Sequence, residues 1–445
     1  MKIRDEKKVL YGSETKKSLE IFRISGLKTD EAFIRSIVLI KKTAATVNGN
    51  LGLINKISEK KIINACNRIL KGNYPEQFLV DVFHSGAGTS LHMNVNEVIA
   101  CISGTDSHDE VNMAQSTNDV LPAALRITSL KLINNFEKTL NRVIKTLHKK
   151  GSDFGLIIKA GRTHLTDALP VTLGGEFKAY ASALAKDRRR ILTACKNLRE
   201  LGIGGTAVGT GVNSHPQYAG MMIIELNKSS SLQLKLADNL QEAMQNRSDF
   251  LDLSAALRTC AQNLVRIGND LRLMSSGPGT GLSEIILPEV IPGSSIMPGK
   301  INPSVIEMLT MVCFQVIAMD QAIILGCMHG ELELNVFLPV IAFNLINQIK
   351  FLTNALTVFN KNCLEGITAD KEMISFWLYR SKGTVALLNP YLGYEKSAGL
   401  LKESLRTGIN IADLTVKKGY LTRKQVLQIF NFKKIIKPNL EMLKK

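Results

Sequence analysis

The chain has 445 residues, a formal net charge of +17 and 45% hydrophobic residues. That length exceeds one ordinary core and predicts two or three domains, and 33 glycines with 12 prolines are too few for a disordered or collagenous chain. The apolar set is mostly Leu, Ile, Val, Ala and Met with only 6% aromatics, which argues against a β-sandwich and for packed helices. The basic excess is scattered. Its densest clusters, Lys149–Lys150, Arg188–Arg190 and Lys433–Lys434, carry no interleaved aromatics and read as solvated faces, so no nucleic-acid partner is expected. The seven cysteines form no CxxC pair and are odd in number, which predicts reduced thiols and a cytoplasmic protein. The charged start of the chain has no apolar signal core.

Helical periodicity dominates from there on. Leu125, Leu132, Phe136, Leu140, Val143 and Leu147 fall three, four or seven residues apart and predict a helix that Gly151 stops. A second helix is expected from about Glu176 to Leu201, and a third from about Leu240 to Met274. A fourth follows Pro303. Its apolar stretch Met308–Cys327 contains Gln315, Asp320 and Gln321, which excludes a membrane span and predicts a helix buried in a large helical assembly. A fifth begins near Asn335 and passes Leu356. Five long helices in one block predict a bundle. The expected fold class is all-α in three domains: residues 1–114, a central bundle 115–367, and 368–445. The regularity breaks at Ser85–Thr89, Gly161–Pro170, Gly202–Pro216, Ser275–Gly281 and Pro292–Pro303, loops where binding groups tend to sit.

The segment Pro292-Gly-Ser-Ser-Ile-Met-Pro-Gly-Lys-Ile-Asn-Pro303 concentrates glycines, hydroxyls and a lysine between two apolar helices, more ordered polarity than a plain connector needs. Gly293–Pro303 resembles the signature of the aspartase/fumarase superfamily throughout. Gly86–Ser90 with Met93–Glu97, Val111–Asp119, Gly161–Ala168, Gly204–Asn213 and Leu332–Val336 resemble the family's other blocks, in its order. The Gly204–Gly211 run is not a nucleotide loop, because no strand precedes it and G-x-G-x-x-G does not fit.

The resemblance implies a lyase that removes a proton from the carbon beside a carboxylate and expels a group from the neighbouring carbon. It implies Ser294 as the base, and His164 paired with Glu307. It implies Thr89, Ser116, Thr117, Asn118, Thr163, His164, Ser295, Lys300 and Asn302 as substrate ligands. It also implies a small dicarboxylate substrate, no cofactor or metal, no membrane, and a homotetramer whose sites are shared between chains. Gln115–Asp119, Gly86–Ser90, Gly366–Asp370 and Glu331–Asn335 resemble the members that release ammonia from L-aspartate. Asn213–Pro216 and Gly299 resemble the fumarate hydratases.

The chain also departs from the family pattern. The N-terminal segment and the connector after Ala100 are short, Ser107-His-Asp-Glu110 replaces a usual His-Pro-Asn-Asp, Gly279 stands for an arginine, and His92 for an asparagine. These departures keep open a tetrameric homologue with weakened catalysis, retained for structure.

Overall fold

The computed structural model describes residues 9–432. The Lys433–Lys434 cluster and the extreme chain ends lie outside the described residues. In chain order the helices are α1 (Ser13–Ile21), α2 (Glu31–Asn50), α3 (Lys56–Leu70), α4 (Thr89–Ser103), α5 (Thr117–Asp153), α6 (Leu173–Ala194), α7 (Tyr218–Ser230), α8 (Leu240–Gln245), α9 (Ser248–Met274), α10 (Ser304–Met328), α11 (Leu338–Asn362), α12 (Lys371–Arg380), α13 (Asn389–Thr407), α14 (Ile411–Lys417) and α15 (Arg423–Ile429). The strands among the described residues form three two-stranded sheets: β1 (Ile158–Thr163) with β2 (Thr166–Thr172), β3 (Glu200–Leu201) with β4 (Lys235–Leu236), and β5 (Ile285–Ile286) with β6 (Thr368–Ala369). The chain is all-α, as its composition and periodicity predict.

Compactness in space groups the residues differently from the three chain segments. One unit comprises residues up to Lys138, Asp187–Gln262 and Val312–Asn354; the other comprises Thr139–Lys186, Asn263–Met311 and the residues from Ala355 onward. Five helices, α5, α6, α9, α10 and α11, contribute residues to both.

Several helix limits differ from the sequence reading. α5 passes through Gly151 to Asp153. A Cβ at Gly151 would lie 2.6 Å from Lys178 Cγ and 3.1 Å from the Gly174 carbonyl, so this glycine allows close packing and does not act as a stop. α5 also starts well before Leu125. Ser116 Oγ accepts from the Asn118 amide at 3.2 Å, and Asp119 Oδ1 accepts from the Ser116 amide at 3.0 Å. That reciprocal capping box starts the helix before its apolar stripe begins. The helix expected to reach Leu201 ends at Ala194. The helix expected from Leu240 is two, α8 and α9, parted at Asn246–Arg247. Asn239 Oδ1 caps the first by accepting from Gln241 and Glu242. α11 begins at Leu338 rather than near Asn335.

In the first unit, Glu97 ties the chain start down. Its carboxylate accepts from the amides of Gly12, Glu14 and Thr15, the unsatisfied donors at the start of α1. In the second, Leu387, Leu388, Leu400, Ile411, Leu414 and Ile429 form a hydrophobic core beneath α13 to α15. α10 is the most apolar helix, with a mean hydropathy of 1.8 over an 18-residue window of which 39% is buried. It nevertheless holds a buried charge: Asp320 is fully buried and accepts from Ser254 Oγ at 2.5 Å and Arg258 Nη1 at 2.7 Å.

Candidate active site

The residues singled out in the sequence divide between the two units. The first holds Thr89, Ser116, Thr117 and Asn118. Thr89 opens α4, behind a tight turn in which Ala87 and Gly88 have positive φ. The Ala87 amide donates to the Val336 carbonyl at 2.7 Å. A Cβ on Gly88 would lie 2.3 Å from Leu121 Cδ1, so only glycine fits beside α5. The capping box holds Ser116, Thr117 and Asn118 at the start of α5. Ser116 Oγ spends one lone pair on the Asn118 amide, which leaves its own O–H to donate. The Asn118 side-chain amide donates to the Ala207 carbonyl at 2.8 Å.

A buried polar cluster supports this loop, and sequence reading did not find it. Asp119 is fully buried; its Oδ2 accepts from the amides of Gly204 at 3.0 Å and Thr206 at 3.2 Å. The Gly204–Asn213 block therefore works as a cradle for an acid on α5. Burial raises the Asp119 carboxyl to about 6 against the pull of these amides and of Lys41. Burial lowers the Lys41 ammonium to about 7, and its Nζ donates to Asn112 Oδ1 at 2.9 Å. His92, one turn into α4, places Nδ1 2.8 Å from Thr117 Oγ1 and so joins the two helix starts. The Val111–Asp119 and Gly204–Asn213 blocks marked parts of this cluster, but nothing in the sequence paired them with Lys41 or His92.

The second unit holds the rest. Thr163 and His164 form the tip of the β1–β2 hairpin, where Thr163 pairs with Thr166. The two-residue turn has φ of 54° at His164 and 59° at Leu165. Both positions normally favour Asn or Gly, so this strained turn holds His164 out from the sheet, exposed. The base of the hairpin is anchored. Glu284 is fully buried, with Lys159 Nζ 2.7 Å and Arg162 Nη1 2.8 Å from its carboxylate oxygens, and Lys159 also reaches Glu176 at 3.0 Å. Asp167 accepts from the Lys382 amide at 2.8 Å.

The Gly293–Pro303 segment folds back on itself. The Gly293 amide donates to the Lys300 carbonyl at 2.9 Å, and Asn302 Nδ2 donates to the Gly293 carbonyl at 2.7 Å. Inside this closed loop Ser294 Oγ accepts from the amides of Ile296 at 3.2 Å and Met297 at 3.1 Å. Ser295 and Lys300 are exposed, with no side-chain hydrogen bond or ion pair among the described residues. Asn302 thus braces the loop. Within the chain no ion pair joins His164 to Glu307 among the described residues. Glu307, in the first turn of α10, lies 3.8 Å from Arg272. The shortened connector after α4 is a compact turn in which Asp106 Oδ1 accepts from the amides of His108 and Asp109, each at 2.7 Å.

Residues 1–318 match the family model described as Lyase, and residues 385–437 match Fumarase C C-terminus. An aspartate ammonia-lyase from a Bacillus species is 41% identical over 437 residues, covering 96% of this chain and 93% of the relative. A class II fumarate hydratase from Helicobacter pylori is 38% identical over 441 residues, covering 96% and 95%. Among solved structures, the fumarate lyase:delta crystallin of Brucella melitensis superposes with a TM-score of 0.93 at 38% identity, covering 97% of this chain and 96% of its own. The class II fumarase of Schistosoma mansoni gives 0.94 at 31%, with the same coverage. The chain belongs to the aspartase/fumarase superfamily of lyases.

Proposed function

We propose that this chain is an aspartate ammonia-lyase that converts L-aspartate to fumarate and ammonia. The observation that carries the elimination chemistry, common to this reading and the second, is the pair of backbone amides on Ser294 Oγ. A serine is a poor base, but donors fixed on its oxygen stabilise the alkoxide formed when the hydroxyl proton passes to solvent water. Ser294 alkoxide takes the Cβ proton. The electron pair moves onto the adjoining carboxylate as an enediolate-like dianion. Its return forms the carbon–carbon double bond and expels ammonia from Cα. Hydroxyls on Thr89, Ser116, Thr117 and Ser295 suit the dianion, and Thr163, His164, Lys300 and Asn302 suit the other carboxylate. Glu307 orients His164 across a chain boundary.

Thr117 with the Gly86–Ser90, Glu331–Asn335 and Gly366–Asp370 blocks favours aspartate. Asn213–Pro216 and Gly299 favour the second reading, hydration of fumarate to malate. A structural homologue with weakened catalysis is the third. Following fumarate by its ultraviolet absorbance, with L-aspartate and L-malate in parallel, separates them. Release from aspartate is expected. Release from malate alone makes the chain a hydratase, and release from neither leaves the structural reading.

The proposal includes a homotetramer with shared sites. On α10, Met311, Phe314, Leu325 and Met328 are 64%, 58%, 57% and 66% exposed. With Ala318 and Gln321 between them, they fall at alternating spacings of three and four, a heptad seam that needs partner helices. A cytoplasmic location is also proposed, supported by seven cysteines that are all unpaired. The division into segments 1–114, 115–367 and 368–445 is kept as a proposal for limited proteolysis to test.

A further inference from the structure

Thr117 is bonded to a side chain that no step of the proposed reaction uses. His92 is 1% exposed, and its Nδ1 lies 2.8 Å from Thr117 Oγ1. Its other ring nitrogen, Nε2, is also buried and has no hydrogen-bond partner among the described residues. Burial, with the Lys41 charge adding to it, holds this imidazole well below its usual pKa, so the ring is neutral. A neutral ring carries one N–H. On Nε2 that N–H would be a buried donor without an acceptor, the rarer and costlier defect. On Nδ1 it points at Thr117 Oγ1, and what remains unpaired at Nε2 is a lone pair.

This tautomer has a consequence for Thr117. A threonine hydroxyl has one proton and two lone pairs. If His92 fills a lone pair, the Thr117 O–H cannot point back at the ring and is left to donate elsewhere. Were Thr117 the donor to His92, its hydroxyl would offer the substrate only an acceptor, which repels a carboxylate. We propose that His92 is a positioning residue that sets the Thr117 hydroxyl as a hydrogen-bond donor to the substrate carboxylate. The proposal rests on the reading of Ser116–Asn118 as the substrate loop.

The test compares His92→Asn, which keeps a side-chain N–H, with His92→Leu, which removes the donor at similar volume. Each is made in the full-length protein, alone and with Thr117→Val, and steady-state fumarate formation and thermal unfolding are measured. His92→Leu is expected to lower kcat/KM about 10-fold or more, mainly through KM. His92→Asn should restore it to within about 3-fold, and in the Thr117→Val background His92→Leu should change it by less than about 3-fold, the mark of coupled residues. Multiplying effects of His92→Leu and Thr117→Val overturn the inference. So does a folded His92→Asn protein with kcat/KM as low as that of Thr117→Val, and this variant decides alone if His92→Leu does not fold. Wild-type protein inert toward both aspartate and malate would sink the proposed function. Active wild type with an unimpaired His92→Leu sinks this inference only.

Discussion

Ser294 is the residue on which the proposed chemistry turns. Its two amide donors belong to its own loop, so they stay with the oxygen wherever the loop moves. Ser294→Ala should lower kcat by about 10³-fold with little change in substrate affinity, since the ligands of both carboxylates remain. Ser295 has no comparable donors, and Ser295→Ala should retain far more turnover. Single-turnover kinetics on both variants checks the assignment, and the reverse order overturns it. His84, beside the first loop, gives a pH-dependent outcome. Burial lowers its imidazole to about 4, against a bond from Nδ1 to the Ser85 carbonyl at 3.2 Å. The unfolded chain protonates near 6.5, so the folded state binds the proton less readily. The stability due to His84 is therefore complete above that value and is lost as pH falls through about 4. The drop corresponds to about 3 kcal/mol. Chemical denaturation across this window should show a steeper fall for wild type than for His84→Asn.

At the scale of elements, the hairpin β1–β2 shows how a rigid base permits a strained tip. Glu284 neutralises two cations at that base, one of them, Lys159, with a side chain only 3% exposed. Removing the acid takes one of two carboxylates from the buried Lys159, which keeps Glu176, and takes from Arg162 the carboxylate it pairs with, a loss of about 1 to 3 kcal/mol. Glu284→Gln should lower the thermal midpoint and raise KM more than kcat changes, because Thr163 and His164 lose their support. An unaltered midpoint would contradict this account of the hairpin. None of this was readable in the sequence. Lys159 and Arg162 share β1, but Glu284 lies 122 residues beyond Arg162, and no local pattern marks it as their partner. The loop Gly293–Pro303 was readable, because its glycines, prolines and hydroxyls are adjacent and their spacing is itself the structure.

At the scale of the molecule, α10 carries opposite demands on its faces. Asp320, Cys313, Val316 and Ile323 are buried within the chain, while the Met311–Met328 seam is left to solvent. An apolar seam of that length is the surface through which the proposed tetramer would assemble. If the proposed tetramer assembles through this seam, Phe314→Glu with Leu325→Glu should reduce the mass measured by light scattering to that of a smaller species. Activity should fall with it, because the proposed sites need several chains. A double variant that stays tetrameric would show that the seam is not the assembly surface.

The sequence by itself determined the all-α class, the cores of the long helices and the loops that carry the candidate residues. These follow from local period and local composition, which act over a few residues. Only the tertiary structure decided where α5 begins, that Gly151 packs rather than stops, and that Gly204–Asn213 cradles Asp119. It alone revealed that His92 holds Thr117 and that Ser294 lies under two amides. The Gly151, Asp119 and His92 contacts depend on partners brought up by the path of the folded backbone, which residue type and spacing do not encode locally; the Ser116–Asp119 cap and the Ser294 amides are local bonds whose geometry residue type alone does not fix.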